Sequence, residues 1–192
     1  MKQLWSPWRI DYIRGDKPSG CVFCGAPLLE GSEQNLVLFR GEHAYVMMNR
    51  YPYTNGHLMV IPYAHVAMLT DLPSCTQIEM LQEVNMCIEV LREVMSPQGY
   101  NVGLNLGASA GAGIRDHLHF HVVPRWIGDT NFMAVIGETA VIVQDLIQCF
   151  GQLRKAFDAR CIFGEDEEFR PRRGDPTGSA SEGGGTNSGP QS

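Results

Sequence analysis

No apolar run in the chain approaches the ~20 residues that a bilayer-spanning helix needs, which argues against a helical membrane protein. The first residues, Met1-Lys2-Gln3-Leu4-Trp5-Ser6-Pro7-Trp8, lack the apolar stretch of a secretory signal, so the expected location is the cytoplasm and no membrane partner is expected. Positive charge is scarce as well. With 15 Lys and Arg against 21 Asp and Glu the formal net charge is -6, which offers no broad basic surface to a nucleic-acid backbone. A small anionic ligand stays open, because local arginines and backbone amides bind phosphate inside acidic proteins. Six cysteines (21, 24, 75, 87, 149 and 161) are too few in 192 residues for a disulfide scaffold. Cys75, Cys87 and Cys149 fall in helical patterns and read as small apolar groups. No internal repeat is visible.

What is present suits one globular domain over residues 1–163. Trp5, Trp8, Ile10, Tyr12 and Ile13 make the N-terminal segment an arm that packs on the domain or on a second subunit. Strands are expected at Leu36–Phe39, Ala44–Met48 and His57–Pro62. Ser74-Cys75-Thr76-Gln77 has capping-box form, and Ile78, Leu81, Val84, Ile88, Leu91 and Met95 recur at helical spacing until Pro97 and Gly99. Tyr100–Leu106 alternates as a strand. A second helix carries Val143, Leu146, Ile147, Phe150, Leu153 and Phe157 on one face. From Gly164 an acidic run gives way to Gly, Ser, Pro, Thr and Arg, so residues 164–192 are expected to be a disordered tail. This element order is α+β, with an antiparallel sheet covered mainly on one face.

Half of the six histidines stand in Asp116-His117-Leu118-His119-Phe120-His121-Val122-Val123-Pro124. Alternation with apolar residues has the period of a strand, which sends the three imidazoles to one face. At ~3.3 Å per residue, His117 and His121 lie roughly 13 Å apart along the backbone, too far for a single zinc ion with bonds of about 2.1 Å. The three must divide the labour. A neutral imidazole is available near pH 7, and when one nitrogen donates to a carbonyl the other can attack phosphorus. Neighbours such as His121 and His57 can then bind non-bridging oxygens or protonate the leaving group. Triplet geometry alone does not choose which histidine attacks. Just upstream, Gly107-Ala108-Ser109-Ala110-Gly111-Ala112-Gly113 leaves backbone amides uncovered for phosphate oxygens. Cys21-Val22-Phe23-Cys24 is a Cys-x-x-Cys knuckle, open between a redox pair, half a zinc site and chance.

His117-Leu118-His119-Phe120-His121-Val122-Val123 resembles the His-x-His-x-His-x-x motif of the histidine triad (HIT) superfamily of nucleotide hydrolases and transferases. The similarity runs from about Trp5 to Phe157. Asn49–Pro62 (NRYPYTNGHLMVIP) resembles the family's nucleoside-binding hairpin, and Asn101–Gly113 resembles its loop before the triad. The resemblance implies a half-barrel antiparallel sheet with two main helices that pairs into a homodimer. It implies His119 as nucleophile, forming a nucleotidyl-histidine intermediate, with His121 and His57 on the α-phosphate, Asn49 on the ribose and Asn105 near the scissile phosphate. Some HIT proteins hold a structural zinc, and the matching ligands here are Cys21, Cys24, His65 and His117, a normal closed tetrahedral set.

Many family hydrolases carry Gly-Gln-Ser/Thr ahead of the triad, where this chain reads Gly111-Ala112-Gly113-Ile114-Arg115-Asp116. That departure, with Pro124-Arg125-Trp126 and Gly128–Met133, resembles the bacterial diadenosine tetraphosphate phosphorylase branch. The expected substrates are then a dinucleoside polyphosphate and inorganic phosphate, and the products ADP and ATP. Small residues at Gly111, Ala112 and Gly113 would open room and backbone donors for phosphate, with Arg115 or Arg125 as nearby charge. Trp126 is expected to stack on a base or to pack, in the core or at a dimer contact. A divalent cation such as Mg²⁺ can accompany the substrate. The alternatives are a diadenosine polyphosphate hydrolase, a nucleoside phosphoramidate hydrolase and, from another class, a nucleotide-binding regulator.

Overall fold

The structure is a computed structural model and describes residues 20–29, 35–129 and 144–163, with side chains to residue 160. The aromatic arm, Val143, the segment 130–143 and the tail beyond 163 lie outside the described residues. A short helical turn, α1 (Val22–Gly25), precedes a hairpin of β1 (Val37–Arg40) and β2 (Ala44–Met48), followed by β3 (Leu58–Pro62). The long helix α2 (Ser74–Met95) leads to β4 (Gly99–Leu104), then β5 (Phe120–Arg125) and α3 (Leu146–Phe163). The five strands form one antiparallel sheet in the order β1-β2-β3-β5-β4.

That order places β5 between β3 and β4, so the end of the histidine segment enters the middle of the sheet. Residues of β2 and β3 are buried throughout, because helices α2 and α3 pack on the sheet. Tyr45, Leu58, Ile61, Met80, Leu91, Leu153 and Phe157 are among the fully buried side chains, each stabilising by ~1.5–3 kcal/mol relative to exposure. The β2–β3 connection turns at Gly56, whose φ of +74° favours glycine and whose missing Cβ would lie 2.5 Å from the Met95 sulfur. This turn delivers His57 to the start of β3.

Two sequence expectations about the helices change. Ser74 is the first helical residue, with Pro73 at the cap position and no side-chain cap; Gln77 instead donates to the carbonyls of Leu69 and Leu72. The face of α2 that enters the core is Met80, Val84, Cys87, Val90 and Leu91, whereas Ile78 and Leu81 are exposed. Val84 and Leu91 of the stripe read from spacing are in the core and Ile88 and Met95 pack against it, so the buried face is rotated from that stripe and only its first turn, Ile78 and Leu81, is left out. On α3, Cys149, Phe150, Leu153 and Phe157 are buried and Ile147 points outward; on α2, Cys75 is exposed rather than packed.

Among the described residues, Glu83 and the Asn55 Oδ1 atom are buried without a hydrogen-bond partner. Glu83 is buried with no hydrogen-bond partner at either carboxylate oxygen, and burial followed by repulsion from Glu79 pushes its pKa up to about 8. At neutral pH it is mostly a protonated acid. Glu79 is used differently, accepting the N–H groups of His43 and Ala44 to close the β1–β2 turn.

Candidate active site and metal-ligand cluster

Two constellations meet around the histidine segment. The first is built where α1, the loop after β3 and the approach to β5 converge. Cys21 Sγ lies 3.3 Å from His117 Nδ1, Cys24 Sγ lies 3.3 Å from His65 Nδ1 and 3.5 Å from His117 Nδ1, and the two imidazole Nδ1 atoms are 3.2 Å apart. With Zn–S at ~2.3 Å and Zn–N at ~2.05 Å, a tetrahedron has S···N edges of about 3.5 Å and N···N edges of about 3.3 Å. The four donors therefore already sit near the corners of a zinc tetrahedron, and all lie within 4.8 Å of one another. His117 Nε2 donates to the Pro62 carbonyl at 2.9 Å, which fixes the proton there and turns Nδ1 toward the sulfurs. Burial, then the hydrogen bond and charge of Cys21, push the Cys24 thiol above its ordinary value, a cost that a divalent cation would reverse. These residues could hold a metal ion.

The second constellation is a chain of imidazoles. The Tyr53 N–H donates to His57 Nδ1 at 3.1 Å, and the Asn49 amide lies 3.3 Å from the same nitrogen. Nδ1 is thus an acceptor, the His57 proton sits on Nε2, and it is donated to His121 Nδ1 at 3.0 Å. His121 in turn carries its proton on Nε2. The Asn105 amide lies 3.4 Å from that nitrogen, and a protonated Nε2 calls for the amide oxygen to be turned inward. His119 Nδ1 donates to the His117 carbonyl at 2.9 Å, leaving Nε2 with its lone pair. Its ring is edge-to-face with His121, centroids 4.7 Å apart.

Register explains the grouping. Met59 pairs with His121 and Leu104 with Phe120, so His57 at the head of β3 and Asn105 just past β4 both flank the third histidine. The regular ladder of β5 begins only at Phe120; His117 to His119 form an extended approach, tied down by the Leu118 N–H donating to the Val66 carbonyl at 2.7 Å. That break lets His117 serve the cysteines while His119 and His121 share the other constellation.

All three of His57, His119 and His121 are held neutral at pH 7. Burial, then repulsion from His121 and His119, pulls His57 down to about 3; burial, then His119, pulls His121 down to about 4. His119 is lowered by burial against the opposing pull of the His117 carbonyl. The unfolded chain takes up these protons near pH ~6.5. The stability owed to the neutral His57–His121 pair is therefore complete above that pH and is lost as pH falls toward the folded values, by up to about 1.4 kcal/mol per pH unit for each ring. Urea midpoints measured from pH 7 down to 5 should fall, and the fall should shrink in His57→Asn; a flat profile would contradict the assignment.

A cavity of about 480 Å³ opens beside these rings, a volume suited to a small ligand. His119, His121, Asn49, Asn105 and Gly113 line it, and His57 is buried behind His121. Gly111, Ala112, Arg115 and Trp126 are not among its lining residues. The glycine loop spends two amides on itself, Ala110 N–H donating to Gly107 and Gly111 N–H to Ala108, in a 3-10 turn. Arg125 is turned to Asp129 at 2.6 Å and Asn101 at 2.9 Å, at the far end of β5. Sequence reasoning singled out none of Val22, Phe23, Met47, Arg50, Tyr51, Tyr53, Met59 and Ile114, which also line the cavity, although Arg50, Tyr51, Tyr53 and Met59 fall within the Asn49–Pro62 hairpin. Arg50 had one signal, its place directly after Asn49. Its guanidinium brings positive charge to a lining that, among the described residues, includes no carboxylate.

An open antiparallel sheet that presents one imidazole nitrogen beside a paired imidazole relay defines a histidine-based nucleophilic site. The HIT domain model matches residues 30–126, and the chain belongs to the HIT domain family. A Mycobacterium tuberculosis protein named AP-4-A phosphorylase is 42% identical over 153 residues, which cover 75% of this chain and 78% of that one. An adenosine 5'-monophosphoramidase of Saccharomyces cerevisiae is 29% identical over 107 residues, 56% of this chain and 63% of the relative. Among solved structures, a zinc-bound histidine triad family protein from Mycobacterium smegmatis superposes with a TM-score of 0.61 at 28% identity, covering 76% of this chain and 98% of its own.

Proposed function

We propose that this HIT-family enzyme splits a dinucleoside polyphosphate by nucleotidyl transfer, with inorganic phosphate as the preferred acceptor. The observation that carries the reading is the fixed tautomer of His119, whose Nδ1 is spent on the His117 carbonyl while Nε2 is left for the cavity. In the reaction, Nε2 attacks the α-phosphorus of diadenosine tetraphosphate, the bond from that phosphorus to its bridging oxygen breaks, and ATP leaves. The His121 Nε2–H, backed by His57, hydrogen-bonds the departing oxygen. Phosphate then attacks the adenylyl-histidine, the P–N bond breaks, and ADP forms with His119 restored. In this reading Asn49 would hold the ribose, Arg50 would meet phosphate charge, and Met47, Met59 and Ile114, which line the cavity, would face the base. Cys21, Cys24, His65 and His117 would hold zinc, which supplies a rigid cross-link between α1 and the triad and takes no part in these steps.

Phosphate as acceptor is supported by the name of the Mycobacterium tuberculosis relative, AP-4-A phosphorylase, and by Gly113, which lines the cavity without a side chain. A homodimer is proposed on the exposed Ile78 and Leu81 of α2 and Val102 of the edge strand β4. Phosphoramidate hydrolysis is the second reading, favoured by the yeast relative. The test is a product assay with diadenosine tetraphosphate, with and without orthophosphate. ADP plus ATP appearing only with phosphate is the expected result; AMP plus ATP regardless of phosphate would overturn the phosphorolytic reading.

A further inference from the structure

We propose that Phe23 is a positioning residue that couples the Cys21, Cys24, His65 and His117 cluster to the His119 ring. The proposal rests on the nucleotidyl-transfer reading of His119. Phe23 stands between the two cysteines of the knuckle and is buried. Its ring meets the His117 ring edge-on at 5.6 Å and leans on the His119 ring at 4.8 Å. His121 contacts the same His119 ring. The bond from Nδ1 to the His117 carbonyl fixes one point of the His119 imidazole but leaves rotation about that point. Among the described residues, Phe23 and His121 are the ring contacts that oppose it.

What holds Phe23 is the knuckle itself. Its backbone carbonyl accepts the Tyr45 hydroxyl at 2.6 Å, and the sulfurs on either side of it face His65 and His117. A metal ion bridging those donors pins the turn at both ends, and with it the ring that rests on His119. Loss of the metal frees the turn, and the His119 lone pair loses its aim. Val22 and Phe23 also line the cavity, so the same turn is a wall of the substrate site. The cluster thus acts on the reaction through packing, at a distance of one side chain.

The experiment uses full-length, metal-loaded protein with 15N-labelled histidine, comparing wild type, Phe23→Leu and Phe23→Ala, with His119 assigned by its absence in His119→Asn. Wild type should show His119 as a single Nδ1–H tautomer. Phe23→Ala should keep its metal, show His119 ring resonances shifted and broadened by averaging over ring orientations about the retained Nδ1–H bond, and lose kcat by roughly tenfold or more, with a smaller rise in KM. Phe23→Leu should fall between the two and decides the matter if the alanine variant does not fold. Stripping the metal from wild type should reproduce the averaged spectrum, and stripping it from Phe23→Ala should change His119 no further. A wild-type His119 spectrum in metal-loaded Phe23→Ala, or in metal-free wild type, would overturn the proposal. Absence of any nucleotide turnover by wild type would instead sink the functional reading, and the spectra would still decide the coupling.

Discussion

Replacing His119 with asparagine should lower kcat on diadenosine tetraphosphate by on the order of 10⁴-fold or more, while the Kd for AMP changes by less than about tenfold. The split follows from geometry. His119 is one of several residues around a cavity whose apolar walls, Asn49 and Arg50 are untouched by the substitution, so ground-state binding survives. The nitrogen that makes the covalent bond does not. His121 cannot take over, because its Nδ1 accepts from His57 and its Nε2 carries the proton. His57 is fully buried and both of its nitrogens are engaged. A variant retaining more than about 1% of wild-type kcat would mean that another group attacks.

Cys24→Ala should release the metal and lower the melting temperature by about 10 °C, roughly 3 kcal/mol for a chain of this size. Cys24 Sγ faces both His65 and His117, so its loss removes a donor that contacts both histidines. His65 is exposed and lies outside regular structure, beside the Val66 carbonyl that accepts the Leu118 N–H, so the metal would cross-link the loop where a single backbone bond now ties it to the approach to β5. Because the donor set spans α1, the loop after β3 and the approach to β5, metal binding free energy is folding free energy for three separate segments. Metal content by mass spectrometry and melts with and without chelator check this. Wild type in chelator should fall to the melting point of Cys24→Ala, and that variant should not respond to chelator. One metal per chain bound to Cys24→Ala, or an unchanged melt, would remove the cluster from the account.

Most of the sheet could be read locally, because Leu36–Phe39, Ala44–Met48 and His57–Pro62 are short apolar runs between turn residues, and the ladder confirms strands there with small shifts at the ends. The core face of α2 could be read only in part, since Val84 and Leu91 of the expected stripe are buried and Ile88 and Met95 pack against the core. Ile78 and Leu81 have the right spacing and the right chemistry, but the face from Met80 to Leu91 meets the sheet, a choice made by tertiary packing. In the site, the chemistry-bearing residues His57, His119, His121, Asn49 and Asn105 were legible by type and by family pattern, and the structure brings them together. Val22, Phe23, Met47, Met59 and Ile114 were not, since an apolar residue that walls a cavity has the same local signature as one in the core. The glycine loop was legible only in part. Small residues leave amides uncovered, yet the 3-10 turn at Ala108–Ala110 satisfies two of those amides internally.

The most direct measurement is a rapid-quench single turnover of metal-loaded protein with diadenosine tetraphosphate in the absence of phosphate, followed by mass mapping of the modified peptide. The account predicts one adenylyl group on His119, formed as ATP is released and discharged as ADP when phosphate is added. ATP release with no adduct, or an adduct on any other residue, would contradict it.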